Sequence, residues 1–254
     1  SEAMRDKPNT RFYEYERSDS GEFLFSRQPA GNFQQWERLD DEVWDVNLNV
    51  GLPLSLRPEI ELTPKVGVKF FDKTRNSELR KFRFNPRFPG NEFDDIATGG
   101  PGEVFDDENI GRDGFQIEES TANTDAYDAS ETITAFYAQA EAELWRDWRL
   151  MAGFRYEDSD QETETNEVSG GADVSAKLAE EYILPAATLT WQFRDDMQIR
   201  AGYSQTINRP DLRELSPAPY LDPADRSEFF CFPDPETAEI DNYDLRWEWY
   251  YGGL

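Results

Sequence analysis

Residues 132–157 read TITAFYAQAEAELW, then Arg146-Asp147, then WRLMAGFRYE. Before the turn, Ala138, Ala140, Ala142 and Leu144 share one parity, and Tyr137, Gln139, Glu141 and Glu143 share the other. After it, Trp148, Leu150, Ala152, Phe154 and Tyr156 oppose Arg149, Met151, Gly153, Arg155 and Glu157. Successive side chains on a strand point to opposite faces, so the spacing predicts a hairpin with one apolar and one polar face. Residues 182–205 repeat the design. Ile183, Ala187, Leu189, Trp191 and Phe193 oppose Tyr182, Thr188, Thr190 and Gln192. Beyond Arg194-Asp195-Asp196, Met197, Ile199, Ala201 and Tyr203 oppose Gln198, Arg200, Gly202 and Ser204.

Working outward, the same alternation marks residues 42–52 (Trp44, Val46, Leu48, Val50, Leu52) and 59–71 (Ile60, Leu62, Val66, Val68, Phe70). It returns in residues 240–251 (Tyr243, Leu245, Trp247, Trp249). A short aromatic and charged segment, RFYEYER over residues 11–17, reads as one more strand. Pro64 and Pro185 fall inside strand patterns, where a missing N–H weakens the ladder. The connections alternate in length. Residues 53–58, 146–147 and 194–196 are short; residues 18–41, 72–131, 158–178 and 206–239 are long.

Short turns at one end and long polar loops at the other predict an all-β fold. The expectation is an antiparallel up-and-down transmembrane β-barrel, with short periplasmic turns and long extracellular loops. This chain would supply about eight strands of a larger barrel, one partial barrel domain over residues 1–254. Aromatics crowd the short-turn end (Trp145, Trp148, Trp191, Phe193, Trp249, Tyr250, Tyr251), as at a membrane interface. A soluble β-sandwich also alternates, but its strands average about 5–6 residues. Here several strands run for about ten, the length a membrane crossing needs.

Composition bounds the chemistry. The 254 residues carry 26 basic and 53 acidic side chains, a net charge of −27, which makes nucleic acid a poor partner. There is no histidine, which removes His-based zinc sites, His-ligated haem and Ser-His or Cys-His catalysis. The lone Cys231 has no internal disulfide partner. No run of about 20 apolar residues codes a membrane helix. The negative mean hydropathy of −0.82 does not exclude a barrel, whose strands alternate. The N-terminal SEAMRDKPNT has no apolar core and is not a signal peptide.

Three runs carry a more specific signal: LPAATLTWQFRDDMQIRAGYSQTINRPDLREL (residues 184–215), EIDNYDLRWEWY (239–250) and AFYAQAEAELWRDWRLMAGFRYE (135–157). They resemble the β-barrel of TonB-dependent outer-membrane receptors, most distinctively in RPDLREL, which strand alternation alone would not generate. The resemblance covers about half of the chain and fits residues 1–71 more loosely. It departs from the family at Cys231-Phe232-Pro233-Asp234-Pro235, where a Gly-Asn-Pro-Asp-Leu-type turn is usual. The resemblance implies a barrel of roughly 22 strands around a plug domain. It also implies active import of a nutrient ligand such as a siderophore, cobalamin or an oligosaccharide, with energy delivered by TonB through the plug. The expected partners are therefore outer-membrane lipid, a nutrient ligand and the TonB complex by way of a plug. The chain shows no recognisable plug, TonB box or barrel-closing strand, so it is expected to be an internal part of the barrel with two open edges. No cofactor and no catalysis are expected.

Candidate sites follow from this frame. The passage-facing set is Gln139, Glu141, Glu143, Arg149, Arg155, Glu157, Gln198 and Arg200; a hydrated wall of mutually paired charges is the plainer reading. The ligand-binding candidates are Arg149, Arg155 and Arg200 on that wall, with Arg80, Arg83 and Arg87 in the basic and aromatic run of residues 80–88. Asp106, Asp107 and Asp113 are Ca²⁺ candidates, although their spacing is not that of an EF-hand. Solvated, mutually repelling surface charge is the plainer reading. Arg209, Asp211, Arg213 and Glu214 are read as fixing the base of an extracellular loop. The competing class is a soluble or surface β-sheet protein that binds a ligand or partner through its acidic loops.

Overall fold

The main antiparallel sheet has ten strands, and those marked by alternation run well past where the alternation ends. The computed structural model describes residues 2–19, 21–28, 31–90, 92–121, 125–145, 147–165, 174–215, 220–221, 228–229 and 235–251. The strands are β1 (Glu2–Phe12), β2 (Tyr15–Arg17), β3 (Phe23–Phe25), β4 (Phe33–Gly51), β5 (Leu54–Arg57), β6 (Ile60–Pro86) and β7 (Phe115–Glu119). They continue with β8 (Tyr127–Leu144), β9 (Trp148–Thr165), β10 (Val174–Arg194), β11 (Met197–Asn208), β12 (Tyr220–Leu221), β13 (Glu228–Phe229) and β14 (Ala238–Trp249). Three short helices, α1 (Glu92–Ile96), α2 (Pro101–Val104) and α3 (Leu212–Leu215), sit in the long connections. The main sheet runs β1-β4-β6-β8-β9-β10-β11-β14, eight strands in sequence order, with β5 and β7 pairing on β6. The sheet is not closed; β1 and β14 are its edges among the described residues.

Register aligns the apolar faces of the strands that carry the alternation. At the short-turn end Ile60, Leu144, Trp148, Trp191, Ile199 and Trp247 stand opposite one another in turn. Trp148 and Trp191 stack at 5.2 Å with rings 6° apart. Midway, Pro64, Ala140, Ala152, Ala187, Tyr203 and Tyr243 form a second row. Phe136, Tyr156 and Ile183 form part of a third, above which the same face turns acidic at Asp158 and Glu181. Trp148 to Tyr156 spans about 27 Å along the strand, which a tilt of about 40° projects to roughly 20 Å. A lipid-facing band is about 25 Å tall. No described element covers this band: Leu48 is 65% exposed, Ile183 66% and Leu245 80%. A soluble sandwich would bury such a face. No helix among the described residues is long and apolar enough to cross a membrane.

The loops are shorter than their composition suggests. Strands β6, β8, β9 and β10 continue beyond the band, so the basic run of residues 80–86 and the acidic run of residues 157–165 are strand rather than loop. The N-terminal strand is likewise β1, Glu2–Phe12, with only residues 15–17 of RFYEYER in a separate small hairpin. Beyond the membrane both faces meet water, so alternation is no longer required. The ladder is held instead by its backbone bonds and by paired charges such as Lys177–Asp160 at 2.7 Å. At the other end, Leu54–Arg57 pairs back on β6, so the short connection tightens to Pro58-Glu59. In the β8–β9 turn Trp145 adopts a left-handed φ of 49°; Arg146 lies outside the described residues.

The buried core sits at the long-loop end. Phe25, Phe84, Phe93, Ala97, Val104 and Phe115 form a knob contributed by β3, β6, β7, α1 and α2. A second cluster joins Tyr127 and Ala129 to Leu212 and Leu215, with Ala176 and Leu178 against it.

Candidate functional site

The face opposite the apolar band is the concave inner wall in a barrel of this kind. Its lower part is a ladder of ion pairs. Lys69 meets Asp45 at 3.0 Å, Lys65 meets Glu141 at 3.4 Å, and Arg149 meets Glu143 at 2.7 Å and Glu141 at 3.8 Å. Arg155 pairs with Glu157. Arg200 stands opposite Arg246 on β14, with Glu248, which pairs with Arg246 at 3.3 Å, two residue pairs away on the same face. The passage-facing set read from parity is thus one face, and most of its charges answer one another.

Higher up, the same parity continues through Ser159, Gln161, Thr163 and Thr165, all buried although polar. What buries them is the segment after β11. Arg209 donates through Nη2 to Glu157 Oε2 at 2.6 Å and through Nε to Ser159 Oγ at 3.1 Å. Gln161 Nε2 donates to the Pro210 carbonyl at 3.1 Å, and Thr163 Oγ1 to the Leu212 carbonyl at 3.3 Å. Arg75 on β6 reaches Asp211 Oδ1 at 3.3 Å while holding Asp41 of β4 through two bonds of 2.7 and 2.9 Å. The segment 209–215 is therefore a strap laid across the inner wall from β11 to β6.

Its local shape is written in its own sequence. Asp211 caps α3 by accepting from the Arg213 N–H at 2.9 Å, and Glu214 reaches back to accept from the Asp211 N–H at 2.9 Å. That reciprocal arrangement is a capping box with Asp as the cap. Leu212 and Leu215 then face the wall cluster. The D-x-x-E spacing was available as a signal, and so was the unbroken parity from Arg155 to Thr165. Neither reveals that strap and wall meet, because they are about 50 residues apart in sequence.

Electrostatics follow the packing. Hydrogen bonds from Arg75 hold Asp41 below the ordinary carboxylate value, against the opposing effect of burial. Arg75 is raised by the same pairing. The basic run splits between faces. Arg80 pairs with Glu119 at 3.0 Å on one side of β6; Arg83 pairs with Glu118 at 2.9 Å on the other, with Arg87 at 3.8 Å from the same carboxylate. These three arginines do not converge with Arg149, Arg155 and Arg200. Asp106 accepts from the Glu108 N–H and caps a single 3₁₀ turn over Asp107–Asn109, and Asp113 lies in the following turn. Among the described residues no group of three or more acidic or thiol side chains is arranged to hold a metal.

Against known families, the model of the TonB dependent receptor-like β-barrel matches residues 3–254. The chain belongs to the TonB-dependent receptor β-barrel family. No curated protein matches it. Family membership explains the two faces together: lipid outside, a polar passage wall inside. Members are outer-membrane receptors and transporters, so this chain is receptor barrel wall. Residues 231–234, which carry most of the departure from the usual family turn, lie outside the described residues.

Proposed function

We propose that the chain is one partial barrel domain over residues 1–254 of a Gram-negative outer-membrane receptor that imports a nutrient ligand actively. The observation that carries this reading is the family match together with the continuous apolar band, uncovered on one side and backed by ion pairs on the other. In this reading the turns near Trp145 and Asp195 are periplasmic and the knob is extracellular. Arg149, Arg155 and Arg200 line the passage, and Arg80, Arg83 and Arg87 lie on its extracellular rim. Energy reaches the ligand from the TonB complex through a plug domain, and the chain performs no bond chemistry.

Cysteine labelling in cells tests the orientation. In a Cys231→Ser background, Asp107→Cys is expected to react with an impermeant maleimide in intact cells, and Asp195→Cys only after the outer membrane is permeabilised. Equal labelling of both in intact cells would sink the proposed orientation. Uptake that persists in a strain lacking TonB would sink the energised-import reading.

A further inference from the structure

The strap is joined to the wall in two unlike ways. At its root, Arg209 follows directly on β11 and is nearly buried against Glu157 and Ser159. Beyond Pro210 the attachments are lighter. Asp211, whose side chain is 60% exposed, meets Arg75 at 3.3 Å, while Arg75 has two shorter bonds to Asp41 that do not involve the strap. Gln161 and Thr163 donate to the Pro210 and Leu212 carbonyls, and Leu212 and Leu215 pack on the cluster around Tyr127 and Ala129. Both surfaces suit separation. Ser159, Gln161, Thr163 and Thr165 are buried yet neither charged nor apolar. A wall covered for good gains most from apolar side chains, and one always in water carries charges freely, as the lower wall does. Hydroxyls and amides bond to a covering backbone or to water nearly equally well, so they serve both states. On the strap side, α3 needs no wall to complete it. Asp211 and Glu214 cap its first turn from within the strap, and the Glu214 and Leu215 N–H groups donate to the Asp211 carbonyl at 2.8 and 3.3 Å. It can leave as one piece, and the two carbonyls it gives up meet water instead.

We propose that residues 210–215 are a releasable latch on the passage wall, hinged at Arg209 and held shut by the Arg75–Asp211 pair and by Leu212 and Leu215. Released, the latch uncovers the row from Gln161 to Thr165, which continues upward the strand and face that carry Arg155 and Glu157. It thus sets how much of the upper wall faces the passage. Its biological meaning rests on the import reading above. Its movement is read in purified protein, apart from uptake.

The test is thiol labelling of the full-length receptor in detergent, in a Cys231→Ser background. Thr163→Cys places a thiol at a position that is 0% exposed beneath the strap. It is expected to label in native buffer, at a rate nearly flat in urea below the barrel's unfolding transition, because release of the latch exposes little surface. Asp211→Asn keeps a capping side chain and loses the charge. It is expected to speed labelling roughly two- to fivefold, the worth of one exposed ion pair. Leu215→Ala, which removes an apolar anchor, is expected to speed it at least about thirtyfold. Val104→Cys, buried in the knob, is expected to label at a rate that neither change alters. Labelling of Thr163→Cys only through the urea range that unfolds the barrel overturns the latch and makes the strap a fixed brace. Equal acceleration at Val104→Cys also overturns it, as general loosening. A rate unchanged in Asp211→Asn overturns the part given to the Arg75–Asp211 pair. A second measurement needs no cysteine: trypsin is expected to cut the unsubstituted receptor after the exposed Arg213 in native buffer, and faster in Asp211→Asn. Protection of that bond until the barrel unfolds overturns the latch as well.

Discussion

Asp41 sits where a single proton matters. Its carboxylate receives two hydrogen bonds from Arg75, which lower it below its ordinary value of 3.8. A folded-state value below the unfolded one stabilises fully above the unfolded value, and the gain is lost as pH falls through the folded one. Acid should therefore loosen the outer end of β4 and β6 below about pH 4. Asp41→Asn should flatten that acid limb in urea melts while lowering stability at neutral pH; an unchanged limb would exclude Asp41 as its source. Arg209 is the second decisive side chain. It and Glu157 are both nearly buried, with side-chain exposures of 14% and 10%. Removing one partner of such a pair costs about 3–5 kcal/mol. Arg209→Ala should be destabilised by that order in urea unfolding, and Arg209→Lys by less. Facing lipid, Ala140 lies in the middle row of the band between Pro64 and Ala152. Ala140→Arg should cost about 2–4 kcal/mol in a refolding titration into bilayers, and a cost near zero would remove Ala140 from the midplane.

At the scale of elements, strand existence and face were legible and strand length was not. Trp148, Leu150, Ala152, Phe154 and Tyr156 announce β9 because lipid on one side and water on the other enforce a period of two. From Glu157 to Thr165 both sides are polar, so the pattern fades while the strand continues. The knob shows the reverse limit. Phe84, Phe93 and Phe115 are separated by loop sequence with no periodicity, yet they bury one another. Phe93 and Phe115 approach to 6.0 Å between ring centroids, and Phe84 and Phe115 to 6.4 Å. Phe115→Ala should cost about 3–5 kcal/mol locally. Hydrogen exchange should rise across residues 92–119 while β8 to β11 stay protected, since their ladders do not depend on the knob. Exchange that rises equally in β9 would mean that knob and barrel unfold as one unit.

For the molecule as a whole, the apolar band forbids a water-soluble state. The purified protein should be monodisperse only in detergent or lipid. A monodisperse species in plain buffer, checked by light scattering, would contradict the membrane reading. The amino-acid sequence by itself determined the antiparallel order, the two faces and the alternation of short and long connections. Each of those is a local consequence of side-chain parity and turn chemistry. It also carried the capping box of Asp211 and Glu214. Only the tertiary structure decided that residues 209–215 fold back across five strands. The same holds for the burial of Gln161 beneath them and for the pairing of Arg80 with Glu119 and of Arg83 with Glu118. Those outcomes depend on contacts between segments tens of residues apart. Nothing in a local pattern specifies such contacts, because each segment would satisfy its own backbone equally well without the other.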